Sequence, residues 1–153
     1  MPCDANVVQD PGGGLCLTFE SNPMAVRVAL ISVRAHLSPL LPSPDDRDTA
    51  ELVLAEVLNN IVEHAYGNRS GSIELLIRPT GTGLCCAVID DGTPMPGHTP
   101  PSGRLVGGVR PDDLPEGGFG WHLIRRLSKG LCYQRQDGRN RLSFELMTAQ
   151  SCD

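Results

Sequence analysis

The stretch ELVLAEVLNNIVEHAYG, residues 51–67, decides how the chain is read. Leu54, Val57, Leu58, Ile61 and Ala65 recur at spacings of three and four, which predicts a helix with one apolar stripe turned to a core. The same spacing gathers Glu56, Asn59, Asn60, Glu63 and His64 on the other side. A solvated helix face ordinarily carries Lys, Arg, Gln and Glu, which favour helix and pair at i,i+4. This face has two carboxylates, two adjacent asparagines and no basic residue. Glu56 and Asn60 stand one turn apart, so their side chains converge. An asparagine carbonyl is a neutral oxygen ligand of the kind Mg²⁺ takes alongside phosphates and waters. A glutamate beside it can accept a proton or orient a water. On these residues alone, an amphipathic helix with its polar face in solvent is an equal alternative.

Outward from that helix the chain alternates between short periods. LCLTF, residues 15–19, reads as a strand, and SNP supplies a cap at Ser21 or Asn22 with a proline in the first turn of a helix. Val26, Leu30, Val33 and Leu37 form its apolar face. SPLLPSPDD breaks it, and the acids Asp46 and Asp48 mark the start of the second helix. SIELLIRP and GLCCAVID then read as two strands around Gly81-Thr82-Gly83, the second apolar enough to be covered on both sides. Residues 92–118 are dense in Gly and Pro and too long for an ordinary connection, which predicts a functional lid or a disordered segment. FGWHLIRRLS reads as a short helix, and LCYQRQ and RLSFELM as a hairpin around Asp137-Gly138. The order predicts one α+β domain over residues 15–147, with tails at 1–14 and 148–153 and a lid at about 92–117.

Composition narrows the class. A chain of 153 residues with 40% apolar content can bury one proper core. Its net charge of -5 argues against direct binding to nucleic acid or to an anionic membrane. The six cysteines include no C-x-x-C pair, and Cys85 and Cys86 would point to opposite faces of a strand, so a zinc site is not expected. No basic start precedes an apolar run, and no run approaches the roughly 20 residues of a membrane helix. The expectation is a cytoplasmic protein with reduced thiols.

Two further motifs carry chemistry. In VIDDGTPMP an apolar strand runs into Asp90, Asp91 and Gly92. An aspartate at the mouth of a buried strand is costly unless a donor meets it, and the exocyclic amine of a purine is such a donor. Gly92 would let a ring edge approach the backbone. In EGGFGWHLI the glycines 117, 118 and 120 open a helix, where free amides and the dipole favour phosphate. The segment is neither a P-loop nor a dinucleotide fingerprint. An ordinary Asp-Asp-Gly turn and a common glycine-rich helix start are the alternatives for each motif taken singly.

Taken in order, Glu-x-x-x-Asn on a helix, Asp-x-Gly after a strand and Gly-x-Gly behind a long lid resemble the Bergerat ATP-binding fold over residues 15–147. That resemblance implies a two-layer sandwich, a mixed sheet covered by helices on one face. With AEVLNNIVEHAY, DDGTPMP and GFGWHLIRRL, a copy of this length looks like the anti-sigma factor serine/threonine kinases of bacterial partner switching. The family implies Glu56 as catalytic base, Asn60 as magnesium ligand, Asp90 as the adenine-binding aspartate and Gly92 as the glycine that follows it. It implies that Gly117, Gly118, Phe119 and Gly120 cradle the phosphates of ATP, with Asn59 and Glu63 nearby and Tyr66 packed near the base or sugar.

The implied partners are a sigma factor and an anti-sigma factor antagonist, bound by a homodimer, and Arg27 matches an arginine of the family's first helix. Two positions depart from the pattern: Pro94 stands where the first glycine box has a second glycine, and Glu116 where the second box begins. A non-catalytic nucleotide-binding module that sequesters a partner is the rival reading. A fragment of a sensor histidine kinase is a third, with His64 and His122 read as structural.

Overall fold

Along the strands apolar residues alternate with polar ones, and a period of two turns one side of a sheet toward a core. A computed structural model describes residues 6–9, 12–102 and 118–148. There the chain runs β1 (Asn6–Gln9), β2 (Leu15–Glu20), α1 (Pro23–Leu40), α2 (Pro44–Asn60), a π-helical turn (Ile61–Tyr66), β3 (Ser72–Thr80) and β4 (Gly83–Asp90). After a short 3-10 turn at Pro96–His98 come α3 (Gly118–Leu127), β5 (Lys129–Gln136) and β6 (Arg139–Met147). The strands form one sheet in the order β1-β2-β3-β4-β6-β5. One side of it packs against the helices through Leu17, Leu75, Val88 and Phe144, which meet Val33, Leu54, Leu58 and Ile124 in a continuous core. This is the expected two-layer α+β sandwich.

Two details differ from expectation. Every described strand pairing is antiparallel rather than mixed. The reason is topological: with two helices, α1 and α2, between β2 and β3 the chain reverses three times, so the neighbours end up opposed. The single-helix crossover through α3 leaves β5 parallel to β4, but β6 lies between them. Residues 6–9, assigned to a tail, pair instead with residues 15–18 of β2 as an edge strand.

Local chemistry sets the helix ends. The Asn22 side chain accepts from the Ala25 amide at 2.8 Å, and Pro23 opens α1, its fixed φ suited to a first turn. The helix runs through Pro39 before it stops at Leu40. Ser43 and Pro44 start α2 ahead of the acids expected to mark it, and Asp45 and Asp46 lie in its first turn. At the far end of the sheet Asp137 and Gly138 both take positive φ, 54° and 78°, as a two-residue hairpin turn of the right twist demands.

Strand β4 is covered by helices on one face only: Cys86 and Val88 are buried there, while Cys85 and Ile89 on the other face are half-buried. Burial pushes the Cys86 thiol up to about 12. Cys16, Cys85, Cys86 and Cys132 are free thiols among the described residues. No helix among those residues is long and apolar enough to cross a membrane.

Candidate functional site

The end of α2 supplies the first half of the site. Leu54, Val57 and Leu58 anchor the helix in the core, which turns Glu56 and Asn60 sideways, toward α3. Asn60 is only 9% exposed, and its Nδ2 donates to the Glu56 carbonyl at 2.8 Å. A carbonyl partner fixes which end of the amide faces it, so Oδ1 is the atom left for a ligand. Gly120 lies in the first turns of α3 against both residues. A Cβ built there would sit 2.5 Å from Glu56 Oε2 and 3.7 Å from Asn60 Nδ2. The Glu56 carboxylate is the end of a flexible side chain and could swing aside, so the contact marks proximity: Glu56, Asn60 and the N-terminal end of α3 form one corner. Gly118 and Phe119 open that helix, while residues 103–117, Gly117 among them and most of the expected lid, lie outside the described residues.

Directly after Asn60 the helix widens into the π turn Ile61–Tyr66, a form common at functional sites. Its Ala65 carbonyl accepts from the Thr93 amide at 2.7 Å and from Arg69 Nη2 at 2.9 Å. Arg69 Nη2 also donates to Thr93 Oγ1 at 2.7 Å. These bonds hold the chain leaving β4 against the end of the helix.

The second half of the site stands at the end of β4. Asp90 is 5% exposed, and its Oδ1 accepts from the Gly92 amide at 2.9 Å and from Asn140 Nδ2 at 2.8 Å. Oδ2 accepts no hydrogen bond from the described residues. Burial pushes the Asp90 carboxyl above the usual carboxylate range, although the Asn140 and Gly92 donors pull it down. Behind it, Arg135 Nη1 donates to the Gly92 carbonyl at 2.9 Å and to Asn140 Oδ1 at 2.8 Å.

Between the two halves lies a cavity of about 480 Å³, within the range of small-molecule sites. Val57, Asn60, Ile61, His64 and Ala65 line it from the helix, Asp90 from the sheet, and Thr93 to Pro96 and Pro101 from the chain beyond β4. Trp121, Tyr133, Asn140 and Leu142 close it. None of these lining residues is Lys or Arg, so the cavity suits a neutral ring better than a phosphate. A phosphate suits the N-terminal end of α3 better, since a helix dipole favours anions there, and Arg125 and Arg126 complement it at the other end.

The structure places three of the expected residues away from this cavity. Asn59 and Glu63 are exposed and do not line the cavity; Glu63 lies 3.7 Å from His64 Nε2. Tyr66 is not at the base pocket: it is buried behind it, donating to the Ser72 carbonyl at 2.7 Å and accepting from the Asp91 amide at 2.7 Å. The reason is the π turn, which carries Tyr66 over to β3 and β4. Tyr133 is the tyrosine that lines the cavity.

Gly92 makes room for the helix rather than for a ring. A Cβ there would fall 2.5 Å from the Ala65 carbonyl oxygen and 2.7 Å from its carbon. Those atoms are backbone and cannot swing aside. Gly92→Ala should destabilise the fold by about 2 kcal/mol, in the range of overpacked sites. Urea unfolding would check it, and an unchanged midpoint would show that the turn yields freely.

Sequence reasoning missed Asn140, Tyr133 and Arg135 as lining or supporting groups. Their signal was three-dimensional only, since the hairpin turn at Asp137 and Gly138 sets Asn140 opposite both Arg135 and Asp90. For a cation, the donor set offers Asn60 Oδ1 with Glu56 beside it, and no cluster of three His, Cys, Asp or Glu occurs among the described residues. One neutral oxygen fits an ion such as Mg²⁺ that takes its remaining ligands from phosphates and water.

Comparison with known proteins places this geometry. The family model for a histidine kinase-like ATPase domain matches residues 19–146. The Serine/threonine-protein kinase BtrW of Bordetella bronchiseptica is 36% identical over 102 residues, covering 64% of this chain and 68% of that protein. The solved histidine kinase domain from Erythrobacter litoralis EL346 blue-light activated histidine kinase superposes with a TM-score of 0.51 at 17% identity. That superposition takes in 85% of this chain and 64% of that one, less than two thirds of the neighbour's length, and speaks for the fold alone. A family match that begins in β2 and ends in β6 takes in both halves of the cavity, and the chain belongs to the histidine kinase-like ATPase domain family.

Proposed function

We propose that this protein is an ATP-dependent serine/threonine protein kinase, an anti-sigma factor that phosphorylates an anti-sigma factor antagonist in bacterial partner switching. The observation that carries the reading is the meeting of Glu56, Asn60 and Gly120 at one end of a cavity whose other end is Asp90. The likeness to BtrW, named a serine/threonine-protein kinase, supports it.

In this reading Asp90 Oδ2 accepts the adenine amine, and the α3 N-terminus faces the phosphates. Asn60 Oδ1 would hold Mg²⁺, which would supply charge neutralisation for the phosphate oxygens. Glu56 takes the proton of the partner's serine or threonine hydroxyl. That oxygen forms a bond to the γ-phosphorus as the bond to the ADP oxygen breaks. Glu56 then carries the proton, and ADP leaves. Positioning and charge compensation do most of the work in such a transfer.

Incubation with γ-labelled Mg-ATP and a candidate antagonist tests the reading. Label on a partner serine or threonine supports the kinase. Nucleotide binding without transfer to any partner tested, at a site that still sequesters a sigma factor, would favour the non-catalytic module instead.

The partner surface belongs to α1. Arg34 is held by Glu51 at 2.6 Å and lies 3.7 Å from Asp48, so it braces the two helices. Arg27 is exposed and makes no ion pair among the described residues. It stands among Met24, 63% exposed, Val28 and Ile31, 65% exposed. Guanidinium groups beside apolar side chains anchor protein interfaces well. Arg27→Ala should weaken binding of the sigma factor or the antagonist by about 1–2 kcal/mol, with ATP affinity and thermal stability unchanged. Titration calorimetry with both partners checks it, and unaltered affinity for each would remove Arg27 from the interface.

A further inference from the structure

A buried amide at the start of β6 has no part in the transfer as described. Asn140 is 4% exposed and stands opposite Asp90 in one register and opposite Arg135 in the other. Its Nδ2 donates to Asp90 Oδ1 at 2.8 Å and to the carbonyls of Thr93 at 3.0 Å and Gly92 at 3.3 Å. Its Oδ1 accepts from Arg135 Nη1 at 2.8 Å and from the Tyr133 hydroxyl. Turned over, the amide would set its oxygen against three acceptors and its NH₂ against two donors, so only one orientation satisfies the site. All of its polar capacity is spent within the protein. It has none left for a ligand.

What it does instead is make the two oxygens of Asp90 unequal. Oδ1 already accepts from Asn140 and Gly92, which leaves Oδ2 for whatever enters the cavity. A lone acceptor with no donor beside it suits the amine edge of a ring and is unfavourable to a carbonyl edge. The same amide grips the carbonyls of Gly92 and Thr93, and the Tyr133 hydroxyl accepts from the Met95 amide at 3.0 Å. The first residues beyond β4 therefore share one network with the carboxylate. Asp91 and Arg135 are the charged groups that act on Asp90, the first raising its proton affinity and the second lowering it.

We propose that Asn140 is a positioning residue that sets the base selectivity of this site by fixing which oxygen of Asp90 meets the base. The inference rests on the reading of the cavity as an ATP site.

The test measures ATP and GTP affinity by calorimetry, from mildly acidic to neutral pH, in the wild type, Asn140→Ala, Asn140→Ser and Tyr133→Phe. Asn140→Ala should contract the preference for ATP over GTP about tenfold, the effect of one hydrogen bond to a charged group. The pH at which ATP binding fades on acidification should also rise, because Asp90 loses a donor that favours its charged form. Asn140→Ser keeps one donor and should keep part of the preference, with Tyr133→Phe between the two.

A merely structural role would weaken both nucleotides alike and leave preference and pH profile unmoved, and that result overturns the proposal. Should a thermal melt show Asn140→Ala unfolded, an unchanged preference in Asn140→Ser does the same. A wild type that binds neither nucleotide, or both equally, removes the ATP reading and this inference with it. A wild type that prefers ATP, beside an Asn140→Ala that prefers it equally, removes this inference alone.

Discussion

Glu56→Gln should slow phosphoryl transfer by about 10²–10⁴-fold, the usual contribution of a general base, while ATP still binds within a few-fold of the wild type. The amide copies the shape of the carboxylate and cannot take a proton at neutral pH. Its place in the fold separates the two effects. Glu56 is half-buried, set beside Gly120 outside the walls of the ring-sized cavity, and the carbonyl that anchors Asn60 is backbone and survives the change. Single-turnover transfer of labelled phosphate measures the first quantity and titration calorimetry the second. Transfer at the wild-type rate would take Glu56 out of the reaction. A parallel loss of ATP affinity would make it a binding group instead of a base.

Asp90→Asn should weaken ATP by on the order of 3 kcal/mol, roughly a hundredfold, since a hydrogen bond to a charged acceptor is lost and a donor is left facing a donor. The new side chain has an evident orientation. Its oxygen must replace Oδ1 in accepting from Gly92 and Asn140, so its NH₂ replaces Oδ2 at the cavity. The empty protein should not suffer. Burial raises the carboxyl of Asp90 above its unfolded value. Such a group binds its proton more tightly when folded, so its contribution to stability is fullest below the unfolded pKa and falls as pH rises through the folded one. At neutral pH the carboxylate is thus a cost to the fold. The variant should melt no lower than the wild type without nucleotide, and the gap between them should close toward acidic pH. Equal ATP affinity in the two proteins would end the assignment of Asp90 to the base. A lower melting temperature would show that its hydrogen bonds outweigh its burial.

Both expectations come from local patterns, and the structure shows how far such patterns reach. The 51–60 helix was legible because a period near 3.6 sorts Leu54, Val57 and Leu58 from Glu56 and Asn60, whatever the rest of the chain does. Asn22-Pro23 and Asp137-Gly138 were legible for the same reason: a cap and a tight turn are satisfied by their own neighbours in sequence. The two-layer architecture followed from the order of these elements.

Periodicity could not foresee where the helix stops being regular. The π turn at Ile61–Tyr66 breaks the 3.6 spacing that set Glu63 on the face of Glu56 and Asn60, and it also moves Tyr66 from where the family resemblance put it. It leaves one in solvent and the other behind the pocket. Nor could it see that Gly92 faces the Ala65 backbone, which depends on segments 27 positions apart in the chain.

The sequence by itself determined most of the elements and the layers, and singled out Glu56, Asn60 and Asp90 as candidates, because those signals are local in the chain. Only the tertiary structure decided what surrounds them. The register of β4 with β6 puts Asn140 on Asp90, and the packing of α2 on α3 puts Gly120 on Glu56. A buried carboxylate must find its donors in space: for Asp90 one is the neighbouring Gly92 amide, and the other, Asn140, lies 50 positions away in the chain.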